Sequence, residues 1–233
     1  MDNRRPASQV LIFDADDTLW ENNILFERVI EDYLTWLDHP TLDRHEVRAV
    51  LNDIQAANAV THGYGAKMLL RSLDDCFQRL SERPATTTER EAIEGLAAAL
   101  TDHEVELMPG VAETLAQLGE RHSLLLLTKG DPDDQRRKLD ASRLAHHFAH
   151  VHIVAEKHVG TYTELIERHE LAVEETWMIG NSPKSDIRPA RAAGMNAVFI
   201  PHQHTWVLEH DELDHSDERI LTLRAFPELL GHF

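Results

Sequence analysis

A single cysteine, Cys76, stands in a chain of 233 residues. An internal disulfide is excluded, and a reducing, cytoplasmic setting is the expectation. Basic residues are scarce: 23 Lys and Arg face 41 Asp and Glu, a formal net charge of −18. Such a surface repels polyanions, which argues against nucleic-acid partners and against anionic membranes. An anionic substrate then needs locally concentrated positive charge. Long apolar runs are missing as well. Leu124 to Leu127 is apolar but far too short to span a bilayer. Met1-Asp2-Asn3-Arg4-Arg5-Pro6 carries no apolar leader core, so no secretory signal is expected. Internal repeats and low-complexity tracts are absent. What remains is an ordinary hydrophobic content of 42%, enough for a proper core. The length allows one large domain, or a core domain with an insertion.

The richest stretch is Val10-Leu11-Ile12-Phe13-Asp14-Ala15-Asp16-Asp17-Thr18-Leu19. Four apolar residues without a polar break suit a strand buried on both faces. Three carboxylates follow within four positions. In open parallel sheets, ligands bind beyond the carboxyl ends of the strands. If the chain stays extended, Asp14 and Asp16 share a face with Ala15 as spacer. Like charges this close repel and raise each other's pKa. A cation or a protonation role offsets that cost better than a solvated loop does.

Past this stretch the rhythm turns helical. Ile24, Leu25, Val29, Ile30, Tyr33, Leu34 and Leu37 recur at helical spacing. Further helices are predicted over Asp43 to Ala59 and Ala66 to Arg83. Thr88-Glu89-Arg90-Glu91 has capping-box spacing and opens a fourth helix through Leu100. No strand is expected in residues 21–104, which read as a helical insertion. The core then comprises 1–20 and 105–233. Buried strands are predicted at Ser123 to Thr128, Val151 to Val154, Thr176 to Ile179 and Asn196 to Ile200, with a short one near Ile220-Leu221. Helices are predicted at Val111 to Leu118, Pro132 to about Ala145, Thr161 to His169, Ser185 to Ala193 and the C-terminus. Pro189 places the start of its helix near Ser185 or Asp186, because only a first turn tolerates proline cheaply. Strands alternating with helices imply an α/β, doubly wound parallel sheet.

Four strand ends carry distinct polar groups: Asp14 and Asp16, then Thr128, then Lys157, then Asn181 with Asp186. A nucleophilic carboxylate, a hydroxyl, an ammonium and a second acidic patch suit phosphoryl transfer, where catalysis is mainly positioning and charge stabilisation. At about 4 Å and a dielectric of 20, each phosphate–carboxylate charge pair costs roughly 4 kcal/mol. A divalent cation is therefore implied, and oxygen ligands point to Mg²⁺.

In these residues the chain resembles the haloacid dehalogenase superfamily, in its phosphatase branch. The matching motifs are Asp14-Ala-Asp16-Asp17-Thr18, Thr128, Lys157 and Gly180-Asn-Ser-Pro-Lys-Ser-Asp186, in order at four strand ends. The resemblance covers roughly residues 8–19 and 105–200, and the helical block resembles the family's cap. It implies a Rossmann-like core and a small phosphorylated substrate. It implies that Asp14 attacks phosphorus, that Asp16 serves as acid and then base, and that Thr128 and Lys157 hold the phosphoryl oxygens. It also implies Mg²⁺ held by Asp14, the Asp16 carbonyl and the last motif. Asn181 stands where relatives usually carry an acid, and is expected to ligate directly, with Asp186 acting through water or by orienting Lys157. Lys157 is followed by His158-Val159-Gly160 in place of the usual proline-containing turn, which leaves Lys129 and Lys184 as competitors.

Other substrate contacts are expected from Lys129, from Trp20 and Asn23 just after the first motif, and from Lys67 behind the His62-Gly63-Tyr64-Gly65 turn. The simpler readings are hinge packing and an inter-helix turn. The histidine clusters, His146-His147 with His150 and His152, and His202 with His204, lack zinc spacing and read as surface or loop residues. A 2-haloacid dehalogenase, a phosphomutase, a phospho-acceptor domain of the receiver type and a non-catalytic binding protein are the competing readings. Asp16 speaks against the dehalogenase. Length, and a candidate Asp on the first strand, speak against the receiver.

Overall fold

The computed structural model describes residues 8–98, 100, 104–214 and 216–233. The chain divides into two compact units, one running through residue 21 and resuming at 105, the other spanning 22–104. The chain enters the first unit with β1 (Val10–Phe13), whose Leu11, Ile12 and Phe13 are wholly buried. Burying each such side chain is worth roughly 1.5–3 kcal/mol, so this strand anchors the sheet.

The second unit is all helix: α1 (Asn23–Leu37), α2 (Arg44–His62), α3 (Ala66–Ser81) and α4 (Thr87–Ala98). Its own core gathers Val29, Ile30, Tyr33, Leu51, Leu69, Leu73, Phe77 and Ile93, the i, i+3, i+4 faces read from the sequence. Asp43 and Glu46 form a capping box on α2. The box on α4 lies two residues earlier than Thr88-Glu91 suggested. Thr86 N donates to Glu89 Oε2 at 2.8 Å, and Glu89 N to Thr86 Oγ1 at 3.3 Å. Arg83 grips the same Glu89 with two bonds of 2.7 and 2.8 Å, which selects Glu89 over Glu91 as the box acid.

The first unit resumes with α5 (Val111–Gly119), β2 (Ser123–Lys129), α6 (Pro132–Ser142), β3 (His150–Val154), α7 (Val159–His169), β4 (Thr176–Gly180), α8 (Arg188–Ala192), β5 (Asn196–Phe199) and β6 (Ile220–Thr222). The sheet order is β3-β2-β1-β4-β5-β6, and every pairing is parallel. Leu11 and Phe13 pack on one face with Leu115, Leu118 and Phe226, while Ile12 packs on the other with Tyr162, Leu165 and Met195. Period-two alternation thus feeds two cores, which is why the strands read as unbroken apolar runs. The chain leaves β1 outward on one side and returns to build the other, so β1 and β4 flank the switch point where α/β sheets bind ligands.

Three helical expectations change. Ser185 to Ala193 is not one helix: a π turn covers Pro183–Ile187 and α8 follows. Ile187 N donates to Ser182 O at 3.2 Å, five residues back, and Pro189 falls in the first turn of α8, where its missing N–H leaves no bond unmade. Helix α6 stops at Ser142 because Arg143 turns left-handed (φ 59°). The terminal helix is a 3-10 segment, Phe226–Gly231. No helix among the described residues is long and apolar enough to cross a membrane.

The first histidine cluster is not confined to loops. His150 and His152 lie on β3, and His169 ends α7 against them, with His152 Nε2 and His169 Nε2 2.9 Å apart. Burial, then the charges possible on His169, Arg168 and His150, hold the His152 imidazole down at about 4. The unfolded chain takes up this proton near pH 6.5 while the native state refuses it until about 4, so stability drains as pH falls through that window. His152→Gln is expected to flatten the loss of Tm between pH 7 and 4.5, read by thermal melts; an unchanged slope contradicts this assignment.

Candidate active site

β1 delivers Asp14. Its N–H continues the ladder onto Ile179 O at 2.9 Å, which fixes the backbone at the sheet mouth. The chain then turns: Leu19 N bonds Ala15 O at 2.8 Å, and Asp17 sits left-handed (φ 61°). That turn brings Thr18 back onto Asp14, its hydroxyl donating to Asp14 Oδ2 at 3.0 Å. The same Thr18 oxygen lies 3.3 Å from Asn181 Oδ1, while Asn181 Nδ2 donates to Thr205 Oγ1 at 3.0 Å. The amide of Asn181 is therefore oriented with its oxygen toward Asp14's neighbourhood.

Lys157, just past β3, is buried, and its ammonium donates to Asp14 Oδ1 at 2.5 Å and to Asp186 Oδ1 at 2.8 Å. Lys184 is elsewhere, on Leu208 O, and exposed. Lys129 does not join Asp14 either. Its ammonium is held by Glu209 (2.6 Å), Ser185 Oγ (2.8 Å) and Glu156 (3.3 Å), so its charge is largely answered before any substrate arrives. Thr128 is buried at the end of β2, beside β1 in the sheet.

Asp186 is placed by the π turn, and Ser182 N donates to its Oδ2 at 3.0 Å. Gly180 makes the room. A Cβ there would stand 2.2 Å from Asp186 Oδ2 and 2.5 Å from its Cγ.

Asp16 does not pair with Asp14. Lys138 donates to both of its oxygens (2.7 and 2.8 Å), Gln135 to Oδ2 (2.8 Å) and the Trp20 indole to Oδ1 (2.7 Å). Trp20 was expected against the leaving group; its ring is instead buried in the sheet unit with its N–H committed to Asp16. Asn23 and Lys67 belong to the helical unit, Asn23 opening α1 and Lys67 second in α3. Lys138 and Gln135 escaped the sequence reading because α6 looked like a wholly polar helix. A face is nonetheless legible there: Gln135, Lys138, Leu139 and Ser142 sit at i, i+3, i+4, i+7, and all four are buried.

The two acids are tuned in opposite directions. Burial first and the charge of Asp186 second push the Asp14 carboxyl up to about 7, against the pull of Lys157. Asp16 contributes least to that rise, so the expected repulsion within the first motif is replaced by one between strand ends. Burial also pushes Asp16 up, but the Lys138 ammonium and the bonds from Lys138, Gln135 and Trp20 outweigh it and hold Asp16 below the usual carboxylate range. Lys157 is kept charged far above the ordinary range: burial opposes its charge, but Asp14 and Asp186 prevail.

Asp14 and Asp186 meet on Lys157, and Asn181 Oδ1 lies on the Thr18 hydroxyl that bonds Asp14, so the donors beside Lys157 are oxygens. One ammonium leaves the Asp14–Asp186 pair short of positive charge, which adds to the burial that lifts Asp14. That shortage and that donor type fit Mg²⁺.

A family model for haloacid dehalogenase-like hydrolases matches residues 9–194. The chain belongs to this family. A curated relative, the phosphoserine phosphatase of Thermus thermophilus, is 41% identical over 100 residues, a stretch spanning 40% of this chain and 40% of that protein. Among solved structures, a haloacid dehalogenase-like family hydrolase from Xanthomonas campestris aligns with a TM-score of 0.80 at 26% identity, covering 97% of this chain and 96% of that one. The HAD hydrolase YfnB from Bacillus subtilis, determined bound to magnesium, shares the fold with a TM-score of 0.68 at 16% identity, over 97% of this chain and 99% of that one. The chain carries this family's fold on a single parallel six-stranded sheet.

Gly180→Ala is expected to expel Asp186 from its pocket and cost about 1–3 kcal/mol in denaturant unfolding. Gly119→Ala, whose Cβ would meet only Leu124 Cδ1 at 3.7 Å, is the control and should be near neutral. Equal stability of the two variants contradicts the packing described for Asp186.

Proposed function

We propose that the chain is a Mg²⁺-dependent, cytoplasmic phosphomonoesterase acting on a small phosphorylated metabolite through an aspartyl phosphate. The observation that carries this reading is geometric: Thr18 and Lys157 converge on Asp14 while Lys138, Gln135 and Trp20 hold Asp16, two residues on, apart from it at the same sheet mouth. Two carboxylates separated in this way divide the labour of nucleophile and proton carrier.

Asp14, the Asp16 carbonyl, Asn181 and Asp186 would hold Mg²⁺. When bound, it neutralises the phosphate dianion against the carboxylates. Lys157 and Thr128 receive the phosphoryl oxygens, and Lys157 also pulls the Asp14 carboxyl toward its ionised form, against burial and Asp186. Asp14 attacks phosphorus, and the bond to the leaving oxygen breaks. Released by Lys138 and protonated from solvent, Asp16 gives that oxygen its proton, then takes one from the water that cleaves the aspartyl phosphate, so inorganic phosphate leaves, Asp14 returns to a carboxylate and Asp16 to its protonated form. Lys138 must release Asp16 before it can carry a proton, which makes Lys138 a positioning residue for this step. The dehalogenase reading has no use for a second acid held at the mouth by three donors. Substrate selection is assigned to the helical unit, which carries Asn23 and Lys67.

Wild-type protein is expected to release phosphate from p-nitrophenyl phosphate only with Mg²⁺. Asp14→Asn should abolish turnover, and Asp16→Asn should slow it by about 10²–10⁴-fold. Activity surviving thorough chelation, or near-normal turnover of Asp14→Asn, overturns the reading. A phosphorylated-metabolite panel then identifies the substrate.

A further inference from the structure

The second histidine cluster lies in the loop after β5, but His202 is not a surface side chain there. It follows β5 with its side chain mostly buried, and it lies between two acids of the turn after β1. His202 Nδ1 is 3.8 Å from Asp17 Oδ1, and His202 Nε2 is 3.3 Å from Glu21 Oε2. One ligating atom from each of the three residues lies within 4.8 Å of the others. All three belong to the sheet unit.

Hydrogen bonding does not account for this arrangement. His202 Nδ1 and Glu21 Oε2 are buried and neither has a hydrogen-bond partner. The 3.3 Å approach of Nε2 to Glu21 is an ion-pair distance that leaves Nδ1 unmatched, and 3.8 Å is too long for a hydrogen bond to Asp17. Leaving a buried polar atom unsatisfied costs about 1–3 kcal/mol, more when it is charged. Asp17 adds a backbone cost. It holds a left-handed conformation (φ 61°) that glycine adopts freely, yet it carries a buried carboxylate directed at His202.

We infer that Asp17, Glu21 and His202 form a second divalent-cation site that takes a Zn²⁺- or Mn²⁺-class ion, separate from the oxygen set around Asp14. Ligands at about 2.0–2.2 Å from one ion stand roughly 3–4 Å from each other, so a small contraction of the three atoms completes the triad. An imidazole nitrogen with two carboxylates selects borderline transition ions over Mg²⁺, which prefers oxygen and its own water. His202 also lines a cleft of about 580 Å³ together with Asn181, Thr205, His210 and Asp211, the side from which we assign the ion's approach. The ion ties the turn after β1 to the loop after β5. Glu21 is the last residue before the chain passes into the helical unit, so the site fixes that exit. Through Thr205, which accepts from Asn181 and donates to His202 O at 3.0 Å, it also steadies the Asn181 amide.

The test is calorimetric titration of Zn²⁺ into the full chain with Mg²⁺ saturating, so that binding is read without any assay of activity. One tight site per chain is expected, weakened roughly 10-fold or more by Glu21→Gln and by His202→Gln. The imidazole ¹⁵N resonances of His202 should move at one equivalent. Should His202→Gln fail to fold by circular dichroism, Glu21→Gln, the more exposed position, carries the comparison. Asp186→Asn and His152→Gln should leave the affinity unchanged. Absence of a tight site, wild-type affinity in a folded Glu21→Gln, or loss of binding in His152→Gln overturns the inference; the last result moves the ion to the β3 cluster.

Discussion

The ammonium of Lys157, buried between Asp14 and Asp186, is the interaction on which the rest of the site depends. Two carboxylates converge there from different strands, and each pair of charges at about 4 Å is worth roughly 4 kcal/mol at a dielectric of 20. Two attractions and one repulsion leave the group bound, and removal of the ammonium would strand two buried anions at a cost of about 3–5 kcal/mol. The cluster still carries one negative charge too many for its burial. Burial first, and that excess second, push the Asp14 carboxyl up to about 7. A further cation relieves it, so the charge state that disfavours the empty site is the one that favours a loaded one.

Parallel topology makes this convergence possible. β1, β2, β3 and β4 all end on the same edge, so residues far apart in sequence meet without long loops. Fine placement then depends on small devices. Gly180 has no Cβ because Asp186 occupies that space. The π turn widens the helix start by one residue and sends the Asp186 carboxylate back under its own strand, onto Ser182 N and Lys157. Lys129, the other lysine at the mouth, is drawn off by Glu209, itself held by Ser182 and Ser185. The two lysines therefore do different work: one stays with Asp14, the other braces the wall.

Much of this was legible in the chain itself. Unbroken apolar runs gave strands buried on both faces, and acids, Thr128 and Lys157 at their ends marked the mouth. Lys157 could be preferred to Lys129 and Lys184 from its strand-to-helix turn alone, and the geometry puts it on Asp14. The partners of Asp16 were not legible in the same way. Lys138 and Gln135 share one helical face of α6 with Leu139 and Ser142, but with a single leucine on it that face gives little apolar signal. Trp20 was misassigned for a related reason: its indole looked free for a ligand, but a neighbouring carboxylate had already taken its N–H. His202 lacked any zinc spacing because its partners, Asp17 and Glu21, come from the far end of the sequence. The π turn was missed because Pro189 constrains where a helix can begin, not which helix type precedes it.

The central claim is that Asp14, held by Lys157, is the group that becomes phosphorylated. Rapid acid quench of the Mg²⁺-loaded enzyme with a ³²P-labelled phosphomonoester, followed by peptide mapping, tests it directly. The account predicts a hydroxylamine-labile label on the peptide carrying Asp14. It also predicts that the label accumulates when hydrolysis is slowed by Asp16→Asn. Turnover without label on that peptide, or label retained in Asp14→Asn, would contradict it.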